Sequence, residues 1–286
     1  MPPPPVPPRP LPPPTNVPTI DFAVDSQLVA QQKITNAALT TGFAYLRNLP
    51  MHIDFAGAQR IFNEAYSSPA FASRFQWPGN VPSAFTRYGK WAGDENEDDK
   101  ARINFPSHSF RGGPWAQTTI NKFGPDFPGI AAFYMDVEDQ LVPLVIQATS
   151  DAIAYRTGVE DVDIWSVRKE GNLYFTLIDY HRSSAVRRLQ GMGEHRDETI
   201  ATIIFQDGIG GLEIQDQRTG QWFAVPGNEV IVMWGRAGEA FSGGIVKAVN
   251  HRVNTIATTR RTSAIAFISA DASAKWEPLV QSPWIR

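Results

Sequence analysis

The apolar residues in the first part of the chain recur at intervals of three and four, which predicts amphipathic helices. One such segment follows Ser26, a residue type favoured at N-caps, and runs to Gly42, where a helix is expected to stop. A second segment covers residues 55–66. Because each segment has its apolar residues on one face, we expect both helices to pack against a core.

A third helical segment is longer and covers residues 130–152, with Gly158 as its expected end. Pro143 lies inside this segment and predicts a kink, because proline has no amide hydrogen to donate. The apolar stripe of the segment predicts a surface on which a sheet rests. Residues 67–129 are rich in proline, glycine and charge, and the charged run at 93–100 is typical of a solvated loop.

From about Asn172 onward the pattern changes to short strands separated by turn residues such as Gly210 and Gly211. The predicted strands cover residues 173–180, 199–205, 212–215, 221–225, 229–234, 248–253 and 260–269. Their spacing is typical of an antiparallel sandwich. We therefore predict a mainly β protein with supporting helices, in which a double-stranded β-helix, or jelly roll, carries an N-terminal helical region.

These patterns suggest one domain with a proline-rich leader. Residues 1–16 are expected to form a disordered arm, with binding to an SH3-like partner as the alternative. Residues 17–286 are expected to form a single domain. Within it, 17–170 supply helical and loop support, 171–270 form the jelly-roll core with the metal site, and 271–286 form a C-terminal tail.

Composition and charge limit the partners and the cellular location that the chain is expected to have. The chain is 42% hydrophobic and carries a net charge of −3, so a large core is expected and a nucleic acid partner is not. No apolar run is long enough to span a membrane, and no secretory signal is recognised, which favours a cytoplasmic location. The chain has no cysteine, which excludes disulfides and thiolate ligands and fits a reducing compartment.

His195, Asp197 and His251 offer the donor set of a non-haem iron site. Two neutral imidazoles and one carboxylate form the facial triad that holds Fe(II) and leaves open positions for O2 and a co-substrate. Residues two apart on an extended strand share a face, so His195 and Asp197 can reach one metal while Arg196 points away. His251 must then come from a distant strand. We therefore expect a redox metalloenzyme.

Arg261 and Ser263 offer a site for a carboxylate. Strand alternation places them on one face with Ile265 and Phe267, a face suited to a barrel interior. An arginine donates two parallel hydrogen bonds to a carboxylate and keeps its charge when buried. The alternative is that Arg261 pairs with a surface acid.

Motifs along most of the chain extend this pattern. They are VPTIDF at 17–22, GFAY at 42–45, FQD at 205–207, GGL at 210–212, QWFAVPG at 221–227 and NHRV at 250–253. With these motifs, the sequence from about residue 17 to 270 resembles the Fe(II)- and 2-oxoglutarate-dependent dioxygenases of the isopenicillin N synthase-like type.

The resemblance implies a role for each candidate residue. His195, Asp197 and His251 would be the metal ligands, and no catalytic side chain beyond them is expected. Arg261 and Ser263 would bind the distal carboxylate of 2-oxoglutarate. The implied reaction uses O2, releases succinate and CO2, and oxidises a C–H bond of a small, largely apolar metabolite. Three alternatives stay open: an Fe(II) oxidase that does not use 2-oxoglutarate, a non-catalytic barrel that binds a small acid, and an interaction protein acting through the proline arm.

The resemblance also implies further pocket residues. Tyr180 matches a tyrosine that contacts the co-substrate in relatives, but His181 follows where many relatives have proline. Either residue could take the contact, and Tyr180 could equally be a core residue. The residues expected to contact the substrate are Phe85, Arg87, Tyr88, Arg102, Phe267 and Trp276.

Overall fold

The chain folds into a helical layer and two facing β-sheets. The computed structural model describes residues 17–72, 85–87, 100–106, 124–168, 173–180, 190–217, 219–254 and 259–280. The helices are α1 (Gln27–Thr40), α2 (Phe55–Ser67), α3 (Pro69–Ala72), α4 (Phe127–Asp136), α5 (Val142–Thr157) and α6 (Arg236–Phe241). The strands are β1 (Thr19–Asp21), β2 (Phe43–Arg47), β3 (Phe85–Arg87), β4 (Ala101–Pro106), β5 (Leu173–Tyr180), β6 (Gln190–His195), β7 (Ala201–Gln206), β8 (Leu212–Gln215), β9 (Trp222–Ala224), β10 (Val230–Trp234), β11 (His251–Asn254) and β12 (Arg261–Ile268).

The described strands form a larger sheet of eight strands, ordered β1-β2-β10-β7-β12-β5-β4-β3, and a smaller sheet of four, ordered β6-β11-β8-β9. Nearly all neighbours are antiparallel, and the pair of β1 and β2 is parallel. Apolar side chains from both sheets meet in one cluster between them, among them Ile204, Ile265, Ile214 and Val253. This arrangement is the jelly roll predicted from the sequence.

Alternation along the larger sheet separates two cores. On β12, Ile265 belongs to the cluster between the sheets, whereas Ala264 and Ala266 belong to a cluster on the other face. That outer cluster also contains the buried sides of α1, α2, α4 and α5. The indole of Trp234 donates to Thr149 Oγ1 at 2.8 Å, which ties the sheet to α5. The helical layer therefore covers the outer face of the larger sheet, as expected.

Local signals in the sequence explain the helix boundaries. The Ser26 side chain accepts a hydrogen bond from the amide of Val29 and caps α1. Gly158 ends α5 in the left-handed conformation, with φ of 70°. The predicted long helix is interrupted by a π-helical turn, Val137–Leu141, just before Pro143. No helix among the described residues combines the length and apolar character that a membrane crossing requires.

Several elements differ from the prediction. Residues 67–129 were expected to be loop, yet β3 and β4 lie within them and extend the larger sheet. Lys100, at the end of the charged run, is buried. Of strand β6 only the end at His195 was predicted to be extended, because the rest of its sequence, QGMGE, has two glycines and no apolar alternation. Predictions for residues 1–16, Tyr88, residues 93–99, His181 and residues 281–286 lie outside the described part of the chain.

Candidate metal centre and co-substrate site

The three candidate ligands meet at one end of the jelly roll. His195 is the last residue of β6 and pairs directly across the smaller sheet with His251, the first residue of β11. The prediction that Asp197 lies on the same strand as His195 is wrong, since β6 ends at His195. Asp197 follows in the connection to β7, where its carbonyl accepts a hydrogen bond from the amide of Arg236 at 2.7 Å.

Gly235 makes this connection possible. A Cβ at this position would lie 2.4 Å from the carbonyl oxygen of Thr199 and 2.7 Å from that of Asp197. No side chain fits at such distances, so glycine lets the turn between β10 and α6 pack against the backbone that carries Asp197. The backbone on both sides of the candidate ligand is thereby held in place.

The side chains of the triad converge. Asp197 Oδ1 lies 3.4 Å from His195 Nε2 and 3.7 Å from His251 Nε2. The two imidazole rings are 4.1 Å apart between centroids. Among the described residues, these three form the one group of such side chains whose ligand atoms lie within 4.8 Å of one another. With metal–ligand bonds of about 2.1 Å, one cation between these atoms can contact all three.

Hydrogen bonds orient each of these groups. His195 Nδ1 bonds to the carbonyl of Gly193 at 2.8 Å, and His251 Nδ1 contacts that of Val249 at 3.3 Å. A carbonyl only accepts, so Nδ1 carries the hydrogen and the Nε2 lone pairs face Asp197. His195 Nε2 is buried and has no hydrogen-bond partner. A buried nitrogen without a partner is costly, and a metal ion would satisfy it.

The carboxylate is oriented in the same way. Thr202 Oγ1 donates to Asp197 Oδ2 at 2.7 Å, which leaves Oδ1 directed at the two imidazoles. Burial alone would raise the pKa of Asp197. The neighbouring histidines and the Thr202 hydroxyl outweigh this effect and lower the pKa to about 2. Burial also lowers the pKa of His251 to about 4. At neutral pH the triad therefore presents a carboxylate and a neutral His251, as a divalent cation requires.

Arg261 and Ser263 face the same interior from β12. The Arg261 side chain is buried, and its Nη2 donates to Gln206 Oε1 at 3.1 Å while Nη1 lies 3.5 Å from Ser263 Oγ. Its guanidinium lies 4.9 Å from the centre of the Tyr180 ring, on the neighbouring strand. Arg261 Nε is buried without a partner. A buried cation with an unused donor is suited to a carboxylate ligand.

The residues expected to contact the substrate divide between the two cores. Phe267 packs against the interior cluster. Arg102 pairs with Ile178 across β4 and β5, which places it on the interior face. Phe85 and Arg87 lie on β3, which pairs with β4 at the edge of the larger sheet. Trp276 is 43% exposed, in a tail whose neighbouring apolar residues pack against the outer core.

Sequence reasoning missed several residues near the site. Thr202 and Gln206 orient Asp197 and Arg261, and both lie on β7, whose burial on both faces hides any alternation. Lys100 is buried, and its charge helps to lower the pKa of His251. Tyr45 has a buried hydroxyl without a hydrogen-bond partner, in the interior cluster. Only the alternating ARINF at 101–105 signalled a strand beside Lys100.

Comparison with known proteins is consistent with this site. Residues 172–270 match the family model described as the 2OG-Fe(II) oxygenase superfamily. Over 93 residues the chain is 34% identical to feruloyl CoA ortho-hydroxylase 2 of Arabidopsis thaliana. This matched stretch covers 32% of this chain and 26% of that protein. Over 131 residues it is 30% identical to gibberellin 2-beta-dioxygenase 7 of the same plant, covering 45% of this chain and 38% of the relative. The matches thus span well under half of these relatives.

Solved structures share the whole fold. The dioxygenase for auxin oxidation 1 from Arabidopsis thaliana, solved with 2-oxoglutarate, superposes with a TM-score of 0.73 at 20% identity, covering 95% of this chain and 100% of that one. The dioxygenase for auxin oxidation in rice superposes with a TM-score of 0.66 at 16% identity, covering 93% of this chain and 88% of that one. The segment 172–270 that matches the superfamily model carries His195, Asp197, His251 and Arg261.

Proposed function

We propose that this protein is a non-haem Fe(II)- and 2-oxoglutarate-dependent oxygenase that oxidises a C–H bond of a small metabolite with O2 and releases succinate and CO2. The observation that carries the proposal is the placement of two complementary sites in one interior. The triad of His195, Asp197 and His251 suits a divalent metal. Arg261, buried on the facing sheet, suits the carboxylate of a chelating co-substrate.

The proposed mechanism assigns each side chain a fixed task. His195, Asp197 and His251 would hold Fe(II), with Nδ1 of each histidine bound to a carbonyl so that Nε2 stays available. Arg261 and Ser263 would hold the distal carboxylate of 2-oxoglutarate and so orient its other end toward the metal. Bound Fe(II) supplies the oxidising chemistry with O2. The protein contributes orientation and water exclusion.

A small, largely apolar metabolite is the proposed substrate. The interior beside Arg261 is lined by Ile178, Ile265 and Phe267, which would exclude water from the reacting centre. The names of the curated relatives describe oxidation of small molecules, such as the 2-beta-dioxygenase of gibberellin. Because the net charge is −3, the chain lacks the excess of positive charge with which proteins bind nucleic acid. The absence of cysteine suits a cytoplasmic enzyme.

Succinate release tests the proposal. The purified protein is loaded with Fe(II), mixed with 2-oxoglutarate in air, and assayed with a panel of small metabolites. We expect slow succinate formation that accelerates when the true substrate is added. Asp197→Ala should abolish it, while Glu198→Gln, which alters the neighbouring exposed carboxylate, should not. Fe(II) binding by the wild type without any 2-oxoglutarate consumption would favour the oxidase or the non-catalytic barrel.

A further inference from the structure

A polar cluster built around one buried carboxylate lies on the outer face of the larger sheet, directly behind the candidate co-substrate site. At its centre is Asp179 on β5, which is fully buried. Asp179 accepts hydrogen bonds from Arg260 Nε at 2.7 Å and Nη2 at 3.0 Å. It also accepts from Tyr66 Oη at 2.8 Å and from Thr262 Oγ1 at 3.2 Å. The rest of this sheet face is apolar, with alanine, leucine and phenylalanine side chains.

Helix α2 supplies the other side of the cluster. Gln59, Asn63 and Tyr66 follow one another at spacings of four and three, which places them on one helical face. Asn63 Oδ1 accepts from Arg260 Nη1 at 2.8 Å. The backbone carbonyl of Gln59 accepts a hydrogen bond from Arg260 Nη2 at 3.2 Å, and the side-chain amide of Gln59 donates to Thr262 Oγ1 at 3.0 Å. A polar stripe of α2 thus contacts the start of β12 and the end of β5.

The cluster is linked to the co-substrate site by strand alternation. Arg260 and Thr262 face outward and flank Arg261, and Asp179 immediately precedes Tyr180. The backbone amide of Thr262, between Arg261 and Ser263, donates to Asp207 Oδ2 at 2.6 Å. The neighbouring Gln206 accepts from Arg261 on the inner face. Arg260 and Thr262, the outward residues on either side of Arg261, are therefore bonded within one network.

Stability alone does not account for such an arrangement. A buried charge can often be replaced together with its partner by well-packed apolar residues at no cost in stability, so the fully buried Asp179 is a costly occupant of an apolar face. Buried polar groups can instead fix one register and one orientation. Here the fixed segment is the one that carries Arg261 and Ser263.

We propose that this cluster is a positioning device for the co-substrate site, and we call it the Asp179 cluster. Its members are Gln59, Asn63, Tyr66, Asp179, Arg260 and Thr262. It holds β5 and β12 in the register at which Arg261, Ser263 and Tyr180 converge on the distal carboxylate of 2-oxoglutarate. The inference rests on the proposed function, because it assigns that carboxylate to Arg261.

Two conservative variants test the Asp179 cluster. Tyr66→Phe removes one hydroxyl and keeps the ring that stacks on Phe62. Arg260→Lys keeps the charge but cannot reproduce the two-point contact with Asp179. Arg60→Gln is the matched control, because Arg60 lies on the same helix and pairs instead with Asp126 and Asp54.

The measurement is calorimetric binding of 2-oxoglutarate to Mn(II)-loaded protein, together with the melting temperature and the KM and kcat of the Fe(II) enzyme. Loss of a partner behind a ligand site typically costs about tenfold to a hundredfold. We expect Arg260→Lys to raise the Kd and KM for 2-oxoglutarate about tenfold and Tyr66→Phe by a smaller factor, with Mn(II) affinity unchanged. Arg60→Gln should leave the Kd unchanged.

The outcomes separate this inference from the proposed function. If both cluster variants melt at a lower temperature but bind 2-oxoglutarate with the wild-type Kd, the cluster is only structural and the inference is wrong. If Arg60→Gln weakens binding as much as Arg260→Lys, the effect is a general one of α2, which also contradicts the inference. If the wild type binds no 2-oxoglutarate, the proposed function itself fails and the inference fails with it.

Discussion

Replacement of Arg261 gives the most direct test of how the interior recognises a co-substrate. Arg261→Ala removes the guanidinium, and Arg261→Lys keeps a positive charge without the planar fork. The site is surrounded by Ser263, Gln206 and Tyr180, which remain in place in both variants. We expect both changes to weaken 2-oxoglutarate binding and to leave metal binding intact, because the triad shares no described hydrogen bond with Arg261.

The magnitude follows from the donors that Arg261 has available. Gln206 and Ser263 engage Nη2 and Nη1, and Nε has no partner, so the guanidinium retains N–H groups for a carboxylate. Hydrogen bonds to charged groups contribute about 1.5–3 kcal/mol each, so losing two removes about 3–6 kcal/mol. That corresponds to roughly a hundredfold to ten-thousandfold in Kd for Arg261→Ala. Arg261→Lys should lose on the order of tenfold to a hundredfold.

Calorimetric titration of 2-oxoglutarate into Mn(II)-loaded protein measures these losses without turnover. Arg47→Lys is a suitable control, because Arg47 at the end of β2 pairs with Glu229 and its side chain is half exposed. A wild-type Kd in Arg261→Ala would refute the assignment of the distal carboxylate to Arg261. Equal losses in Arg261→Ala and Arg261→Lys would show that fork geometry contributes nothing.

Three further predictions concern the metal centre and the arm. His251→Ala should abolish tight Mn(II) binding with little change in far-ultraviolet circular dichroism, whereas retained binding would exclude His251 as a ligand. In the metal-free protein, the unfolded chain protonates His251 below pH 6.5 while the folded chain keeps it neutral to about pH 4. The neutral His251 side chain should therefore contribute about 3 kcal/mol to the free energy of unfolding above pH 6.5, and this contribution should be lost as the pH falls to 4. Denaturant unfolding of His251→Gln should show a shallower dependence on pH. Removing residues 1–14 should leave metal affinity and succinate release unchanged, and a large fall in either would mean that the arm takes part in the site.

The sequence predicted elements well where one face of an element is buried. α1 and α2 each bury one side, and Ser26 caps the first turn of α1, so periodicity and capping signals located them. Strand β2 was missed because four consecutive residues are buried, which removes the two-residue period. The π-helical turn Val137–Leu141 has no periodic signal of its own, and only a kink at Pro143 was predicted.

The candidate site shows the same division. Metal ligands are predictable because few residue types bind Fe(II), and the spacing of His195, Asp197 and His251 is distinctive. The position of Asp197 past the end of β6 could not be predicted, since it depends on the approach of Gly235. The Asp179 cluster was also missed. Its residues are spread along the chain from Gln59 to Thr262, and only the tertiary fold brings α2 against β5 and β12.

The larger sheet shows why the N-terminal half is more than support for a separate core. Residues 17–170 were expected to supply mostly helices and loops after a short β-rich run at Val17, yet among the described strands of that sheet β1, β2, β3 and β4 all come from this half. Phe43 and Tyr45 on β2 line the same interior as Ile265. The segment 172–270 that matches the superfamily therefore lacks part of the wall of its own cavity. It also lacks the α2 residues that bond to Asp179 and Arg260 on the outer face. Expressed alone, that segment would expose the apolar outer face of β5, β7 and β12 together with Asp179, so the chemistry of this chain requires both halves folded together.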